Sequence, residues 1–524
     1  MRISLMHRFP SVLVAFLAIA CSKSAPPAAP QAVPAAEKTP EKPVEPEAPK
    51  PAEPAAEAPK PAEPAAEAPK PAEPEAPKPA EPAAEAPKPA EPEAPKPAEV
   101  AAEAPKPAEA PVAPTPAGTP GPAYVAVDKR GVARIDENGI KLLADSPTQL
   151  IKSMQVGPDG GLYIVSFEDI YKADGDKMKS VAKVGFRQLG ASPDNLAVGA
   201  NGELWLTSFK GVHKWDGKAW TTEDKSVAVG GETLIKDIAL DNTGRPWVAT
   251  SNDLWVKDAA GWRKAELPKG KRGQHWLQDL QVGPKGHVFA LTGDSLFEVG
   301  DDGAFTKVDI DTRDWPQLQA VSFSSNGGIG VLDFEHVHHQ PAGGKARSFS
   351  ADGGKDFKAD RLSAVAVDDS GRLWAGSGIG VTIFGAGGEK TEWASGAIPE
   401  LVGNIEAIVV VGAGPTTLPT AGPLATGGLT GKLIKNGEPM AGVDVELCTN
   451  PSSYFKKSPC NEAPVKFETK TDASGNWTVT DMPLGSYGLA VKDAEGWRVT
   501  MMSDLGDGMK AGKVYDTGSL RLDK

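Results

Sequence analysis

The sequence predicts an all-β protein: a seven-bladed β-propeller followed by a small antiparallel β-sandwich, the two preceded by a disordered Pro/Ala/Glu/Lys-rich linker. Three observations predict it. A turn glycine recurs as Gly160, Gly202, Gly244, Gly286, Gly327 and Gly371, so successive copies lie 42, 42, 42, 41 and 44 residues apart, and a repeat of roughly 40–45 residues holding four strands is a propeller blade. Proline and alanine dominate the chain before residue 123, whereas tryptophan occurs only beyond it. The segment 427–524 reads as short alternating strands with turns at Asn436/Gly437, Ser474/Gly475 and Leu484/Gly485, the pattern of a sandwich.

At the amino terminus, Arg2 and Arg8 precede an apolar run from Val12 to Ala20. This is a secretory signal peptide over 1–20, too short to span a bilayer as a permanent helix. The AIAC sequence ending at Cys21 resembles the lipobox of bacterial lipoproteins, although Ala18 stands where leucine is usual and Leu17 lies one place earlier. The resemblance implies cleavage before Cys21 and acylation of that residue. Several acyl chains, at about 0.8 kcal/mol per buried CH2, hold a protein stably on a membrane. Ser22 in place of aspartate implies, by the same resemblance, an outer-membrane lipoprotein facing the periplasm or the cell surface.

The stalk, 21–122, repeats PAEPAAEAPK and PAEPEAPK without an aromatic residue. It cannot bury a core. Its prolines favour polyproline II, and roughly 100 residues at about 3.1 Å each reach at most about 300 Å. A formal net charge of −13, with no basic block to displace counterions from phosphates, excludes a nucleic-acid partner. Besides Cys21 the only cysteines are Cys448 and Cys460, and in an oxidising compartment they are expected to pair.

The clearest repeat begins at Leu196, turns at Asn201 and Gly202, and alternates again through Leu204, Trp205 and Leu206. Whole copies span Ile151–Lys183, Asp194–Lys225, Ile235–Leu267, Leu277–Asp309, Leu318–Ser350 and Leu362–Gly396. The ends complement one another. AYVAVDKRGVARIDENG from Ala123 lacks a first strand, and NIEAIVVVG from Asn404 is a first strand alone. A seventh blade is therefore expected from Ile405–Val411 and Tyr124–Leu143, closing the ring over 123–412. An aromatic residue recurs in the second strand as Tyr124, Tyr163, Trp205, Trp247, Phe289 and Trp374, with Gly330 the exception; these are expected in the core between blades. The pattern in DNTGRPWVATSNDLW and DDSGRLWAGSGIGV resembles the periplasmic sensor propellers of two-component regulators and the streptogramin-lyase-like propellers.

Two places invite chemistry. The residues preceding each apolar inner strand are Ser153, Asn195, Asp237, Asp279, Ala320, Ala364 and Ala407. In such folds they lie at one channel mouth, where Ser153, Asn195, Asp237 and Asp279 form a candidate ligand site. Asp237 and Asp279 could give oxygen ligands to a divalent cation; the plainer alternative is a hydrated channel. The second place is HVHH, where His336 and His338 share a strand face and Glu335 stands three residues before His338, so a metal or general-base site is conceivable. Lyases of the resembled class use histidine. However, His213 holds the blade position of His338 in another blade without a second histidine nearby, which favours ordinary exposed histidines. No GxSxG, HExxH, Walker or calcium-loop motif occurs. Neither a catalytic residue nor a cofactor is assigned.

After a linker at 413–426, GKLIKNGEPMAGVDVEL and TDASGNWTVTDMPLGSYGLAV resemble the carboxypeptidase regulatory-like, or transthyretin-like, fold. Gly431, Pro439, Gly442 and Val443 match its opening, and Asp472, Gly475, Pro483, Gly485 and Tyr487 its second half. The resemblance implies an accessory module without peptidase chemistry. Its loop from Thr449 to Pro464, carrying Tyr454 and Phe455, is a candidate contact loop.

The expected function is that of a cell-envelope lipoprotein presenting a propeller and a sandwich on a stalk to bind a protein or glycan, without catalysis. Two alternatives stand beside it: a lyase- or lactonase-like propeller enzyme with a divalent cation at the mouth, and a structural spacer or envelope assembly factor.

Overall fold

Gly202 adopts φ 76°, a left-handed conformation that strains any side chain, and its five counterparts lie between φ 74° and 99°. Each turn reverses the chain between the innermost and second strands of a four-stranded antiparallel sheet. In blade 2 the strands are Pro193–Val198, Leu204–Ser208, Gly211–Trp215 and Trp220–Asp224, and blade 1 runs from Ser153 to Lys183. Blades 3 to 6 run from Ile235 to Ala265, Leu277 to Val308, Ala320 to Ser350 and Leu362 to Ala394. The computed structural model describes residues 118–522 apart from 149, 232–233, 269–275, 301–302, 311–316 and 352–353. The signal peptide, Cys21 and the stalk up to 117 lie outside the described residues.

The seventh blade takes strands from both ends of the domain. Its inner strand, Ile405–Val410, pairs antiparallel with Ala123–Val127, placing Ile408 opposite Val125, and Gly131–Asp136 and Gly139–Leu142 follow outward. The chain thus closes the ring with its own first strand, leaving no blade free to peel away.

The aromatic residues of the second strands are all buried, from Trp374 at 0% to Tyr124 at 7% exposure. Their polar atoms are anchored by the first turn: Trp247 Nε1 donates to Asp241 Oδ2 at 2.9 Å and Trp374 Nε1 to Asp368 Oδ2 at 3.0 Å. That turn carboxylate also takes the turn's own amides, so one aspartate fixes both turn and ring. Gly330 breaks the series because a Cβ there would meet Val367 Cγ2 at 2.5 Å and Leu373 Cδ1 at 2.7 Å from blade 6.

The connecting segment lies packed against blade 6. Arg372 Nη2 donates to Ala413 O at 2.6 Å, Trp393 Nε1 to Pro419 O at 3.1 Å, and the Gly422 N–H to Ala397 O at 3.0 Å. Two four-stranded sheets follow. One joins Thr426–Lys435, Glu438–Pro439, Asn476–Pro483 and Val514–Arg521; the other joins Asp444–Cys448, Lys466–Lys470, Tyr487–Asp493 and Gly496–Leu505. The sandwich is antiparallel except that Val514–Arg521 runs parallel to Thr426–Lys435. A parallel neighbour needs a long crossover, supplied here by the strands of the second sheet. Between the sheets lie Leu429, Leu433, Trp477, Tyr487 and Leu489. Buried Cys448 and Cys460 form a disulfide with Cα atoms 5.8 Å apart.

Candidate functional site

The inner strands begin on the same side of the ring as the hairpins joining second to third strands. Leu277 N–H bonds to Ser251 O at 3.1 Å, Leu318 N–H to Gly293 O at 3.0 Å and Asp128 N–H to Asn404 O at 2.9 Å. This side, termed the upper face, holds the predicted channel mouth.

At the mouth the four polar residues reach the inner strand of the following blade. Ser153 Oγ accepts from Leu196 N–H at 3.4 Å, Asn195 Nδ2 donates to Lys236 O, Asp237 Oδ2 accepts from Leu280 N–H at 2.8 Å, and Asp279 Oδ2 from Val321 N–H at 2.9 Å. The physical reason is that each inner strand is an edge strand, whose outward N–H and C=O groups lack a ladder partner. A short polar side chain about 42 residues earlier supplies one. The arc is thus built into a blade-to-blade clasp. Across the ring, where alanine holds this position, Ser322 Oγ accepts from Val367 N–H at 3.1 Å and Ser363 Oγ donates to Ile405 O.

The two mouth carboxyls hydrogen-bond to each other. Burial, then the Asp279 charge, pushes Asp237 well above the usual carboxylate range, and burial also raises Asp279. Each keeps some accessible surface along the channel, yet protein surrounds both, and that enclosure governs their charge. Both directions oppose ionisation of the pair. Among the described residues no group of three or more histidine, cysteine, aspartate or glutamate side chains is placed to hold a metal ion.

The histidines differ from the expectation of exposed side chains. His338 is 3% and His339 1% exposed, and His336 is half-buried. Fully buried Asp333 is the carboxylate beside them, at 3.3 Å from His336 Nδ1 and 3.4 Å from His338 Nε2. His338 Nδ1 lies 2.7 Å from Ser348 Oγ on the outer strand. Blade 2 repeats the arrangement with neutral partners: His213 contacts Ser208 Oγ at 2.7 Å and Thr222 Oγ1 at 2.8 Å. In both blades the imidazole bridges the upper hairpin to the outermost strand, a brace within the sheet. Burial drives His213 and His339 down to about 4. His339 faces Gly330 across the ladder, and neither of its ring nitrogens has a partner.

The upper face carries a feature that sequence reasoning missed. Phe167, Phe209 and Phe334 stand exposed at hairpin tips of blades 1, 2 and 5; Phe186 and Val227 are exposed in the helical turns Phe186–Leu189 and Lys225–Ala228, which lead out of blades 1 and 2. Leu150, Leu234 and Trp276 are exposed just before the inner strands of blades 1, 3 and 4. Turn tips are ordinarily polar, so phenylalanine after the strand-ending Ser166, Ser208 and Asp333 was the available signal.

The sandwich stands on the same face, over blades 6 and 7. Ser395 Oγ donates to Leu484 O at 2.6 Å, Val402 enters the sandwich core, and Lys129 pairs with Asp507. Asn450 Nδ2 donates to Asp360 O at 3.2 Å, tying down the loop on which Tyr454 is 81% exposed and Phe455 37%. Among the described residues these contacts fall on blades 6 and 7 and the Asp360 segment leading into blade 6, so the sandwich forms a wall at one side of the face. A separate groove of about 550 Å³ runs between the outer edges of blades 1 and 2, lined by Trp215, Trp220, Gln188 and Lys218.

No protein-family profile and no curated protein matches the chain. Among solved structures it is similar to virginiamycin B lyase from Staphylococcus aureus, at 13% identity over 48% of this chain and 85% of that one, TM-score 0.39. The extracellular domain of BT4673 from B. thetaiotaomicron matches at 9% identity over 74% of this chain and 63% of that one, TM-score 0.39. YCF48 from Cyanidioschyzon merolae matches at 14% identity over 46% and 84%, TM-score 0.34. At such identities the likeness is one of fold and extends to no activity or ligand. Among the described residues no helix is long and apolar enough to cross a membrane.

Proposed function

We propose that this chain is a non-catalytic binding protein of the cell envelope, anchored by lipid at Cys21, whose upper propeller face and sandwich together receive a protein or glycan partner. One observation carries the reading: large apolar side chains stand exposed across the part of the upper face that the sandwich leaves open. Large exposed apolar patches mark interaction sites. The mouth carboxylates, His213, His336 and His338 have structural partners that account for their places in the fold.

The test is capture from detergent-solubilised envelope by the full chain, with Phe167→Ser/Phe209→Ser compared against Val282→Ser. Val282 is 46% exposed but ends the inner strand of blade 4 on the lower face. Retention should be lost in the phenylalanine variant and kept in the valine variant. Equal retention by all three would remove the upper face as the site.

A further inference from the structure

We infer that the open sector over blades 1 to 3 receives an acidic peptide segment bearing apolar side chains; this rests on the binding reading above and names the chemistry of the partner. Cations alternate there with the exposed apolar groups. Lys152 follows Leu150 and lies 5.1 Å over the Phe167 ring; Arg187 adjoins Phe186, Lys210 adjoins Phe209, and Lys225 and Lys236 flank Val227 and Leu234. Among the described residues none of these five cations forms a salt bridge to a carboxylate. The described carboxylates nearby are Asp169, held by Lys183; Asp194, largely buried beside Lys152; Asp224, which is exposed, caps the Lys225–Ala228 turn and lies close enough to Lys210 and Lys225 to feel their charge; and exposed Glu168. In a chain of net charge −13, six cations, Lys183 included, beside these four carboxylates make the sector a local excess of positive charge.

The occupied part of the same face shows what this chemistry accepts. On blade 7 the hairpin Asp128–Gly131 corresponds to Ser208–Gly211 of blade 2, and its Lys129 is met by the Asp507 carboxylate of the sandwich while Arg130 Nη1 donates to Pro399 O at 2.9 Å. There the sandwich seats beside the apolar Val402 with a carboxylate on the hairpin cation. Blade 2 offers the same pairing of cation and apolar side chain, Lys210 with Phe209; among the described residues Lys210 forms no salt bridge, although the Asp224 carboxylate is near enough to feel its charge. The open sector continues an existing interface and repeats its pairing of cation and apolar side chain.

A lipid surface would also suit aromatic and cationic side chains, but a flat bilayer cannot approach a face on which the sandwich stands. A chain segment lying in the angle between floor and wall can.

The experiment uses the full chain with fluorescein-labelled copolymers followed by anisotropy: random glutamate–tyrosine, random lysine–tyrosine, and polyglutamate, alongside phosphatidylglycerol vesicles in a sedimentation assay. Expected is binding of the glutamate–tyrosine copolymer above both others, weakened at least tenfold by Lys210→Glu/Lys225→Glu, by Phe167→Ser/Phe209→Ser, and by raising salt from 0.05 to 0.5 M, as screening demands. Binding of that copolymer undiminished by the lysine variant, or preferential binding of the lysine copolymer, overturns the inference. Binding to vesicles in place of the copolymer overturns it in favour of a membrane. If the envelope partner is lost in the phenylalanine variant but kept in the lysine variant, the face binds and the acidic assignment alone fails. If neither variant alters either measurement, both readings fail together.

Discussion

The carboxyl groups of Asp237 and Asp279, at equivalent positions of blades 3 and 4, hydrogen-bond to one another while each also accepts an amide from the inner strand of the next blade. Burial and the neighbouring Asp279 charge both oppose ionisation of Asp237.

That pair sets a pH dependence. Because the folded pKa of Asp237 is raised above its ordinary 3.8, its contribution is full below that value and is lost as pH rises through the higher folded value. Asp237→Asn keeps a neutral donor for Asp279 and an acceptor for Leu280 N–H. Its urea-unfolding free energy should lie within about 1 kcal/mol of wild type near pH 5 and decline less toward alkaline pH. Asp237→Ala leaves the Ile238 and Leu280 amides without their acceptor, costing about 2–4 kcal/mol.

His213 and His339 act with the opposite sign. Both are held near 4 against an ordinary 6.5, so stability present above pH 6.5 is lost as pH falls toward 4, by at most about 3 kcal/mol each. Asp360, pushed up to about 6 by burial, opposes this over part of the same window, so the informative quantity is the difference between variants. His339→Leu removes two unpartnered ring nitrogens. It should raise stability at pH 7 by about 1–2 kcal/mol and flatten the acid limb; a loss of stability at pH 7 would contradict the assignment.

Val409→Pro should open the ring. Like Val411, whose N–H bonds to Pro122 O, Val409 turns its amide toward the strand Ala123–Val127, and losing that ladder amide is expected to cost at least about 3 kcal/mol. Thermal unfolding should broaden or gain a second transition, whereas Val409→Ala, which keeps the amide, should leave a single transition.

Reduction should be felt in the sandwich alone. Cys448 and Cys460 close a short loop, 12 residues apart, worth about 3 kcal/mol on a chain-entropy basis. Cys448→Ser/Cys460→Ser should lower the melting temperature of the transition reported by Trp477 and Trp497 and leave the propeller transition within about 1 °C of wild type.

The blades were legible because each is local. Strand, turn at Gly202, strand and hairpin all fall within one repeat, and the incomplete ends at Ala123 and Asn404 announced a shared seventh blade. The site was less legible. Ser153, Asn195, Asp237 and Asp279 were recognised as a converging arc, but their amide partners lie a blade away. The histidines looked exposed because HVHH is polar in one dimension, while Asp333 and Ser348, which bracket His338, belong to the neighbouring hairpin and strand.

By itself the sequence determined the all-β class, the period and the closure, because these follow from residue patterns no longer than a blade. Only the tertiary structure decided which residues share a face. Phe167, Phe209 and Phe334 are unremarkable tips in three separate repeats, and the sandwich begins well beyond the last of them; stacking seven copies around one axis puts every such tip on one side. The proposed interaction face is therefore a property of the ring, written once per blade and readable only when the blades are assembled.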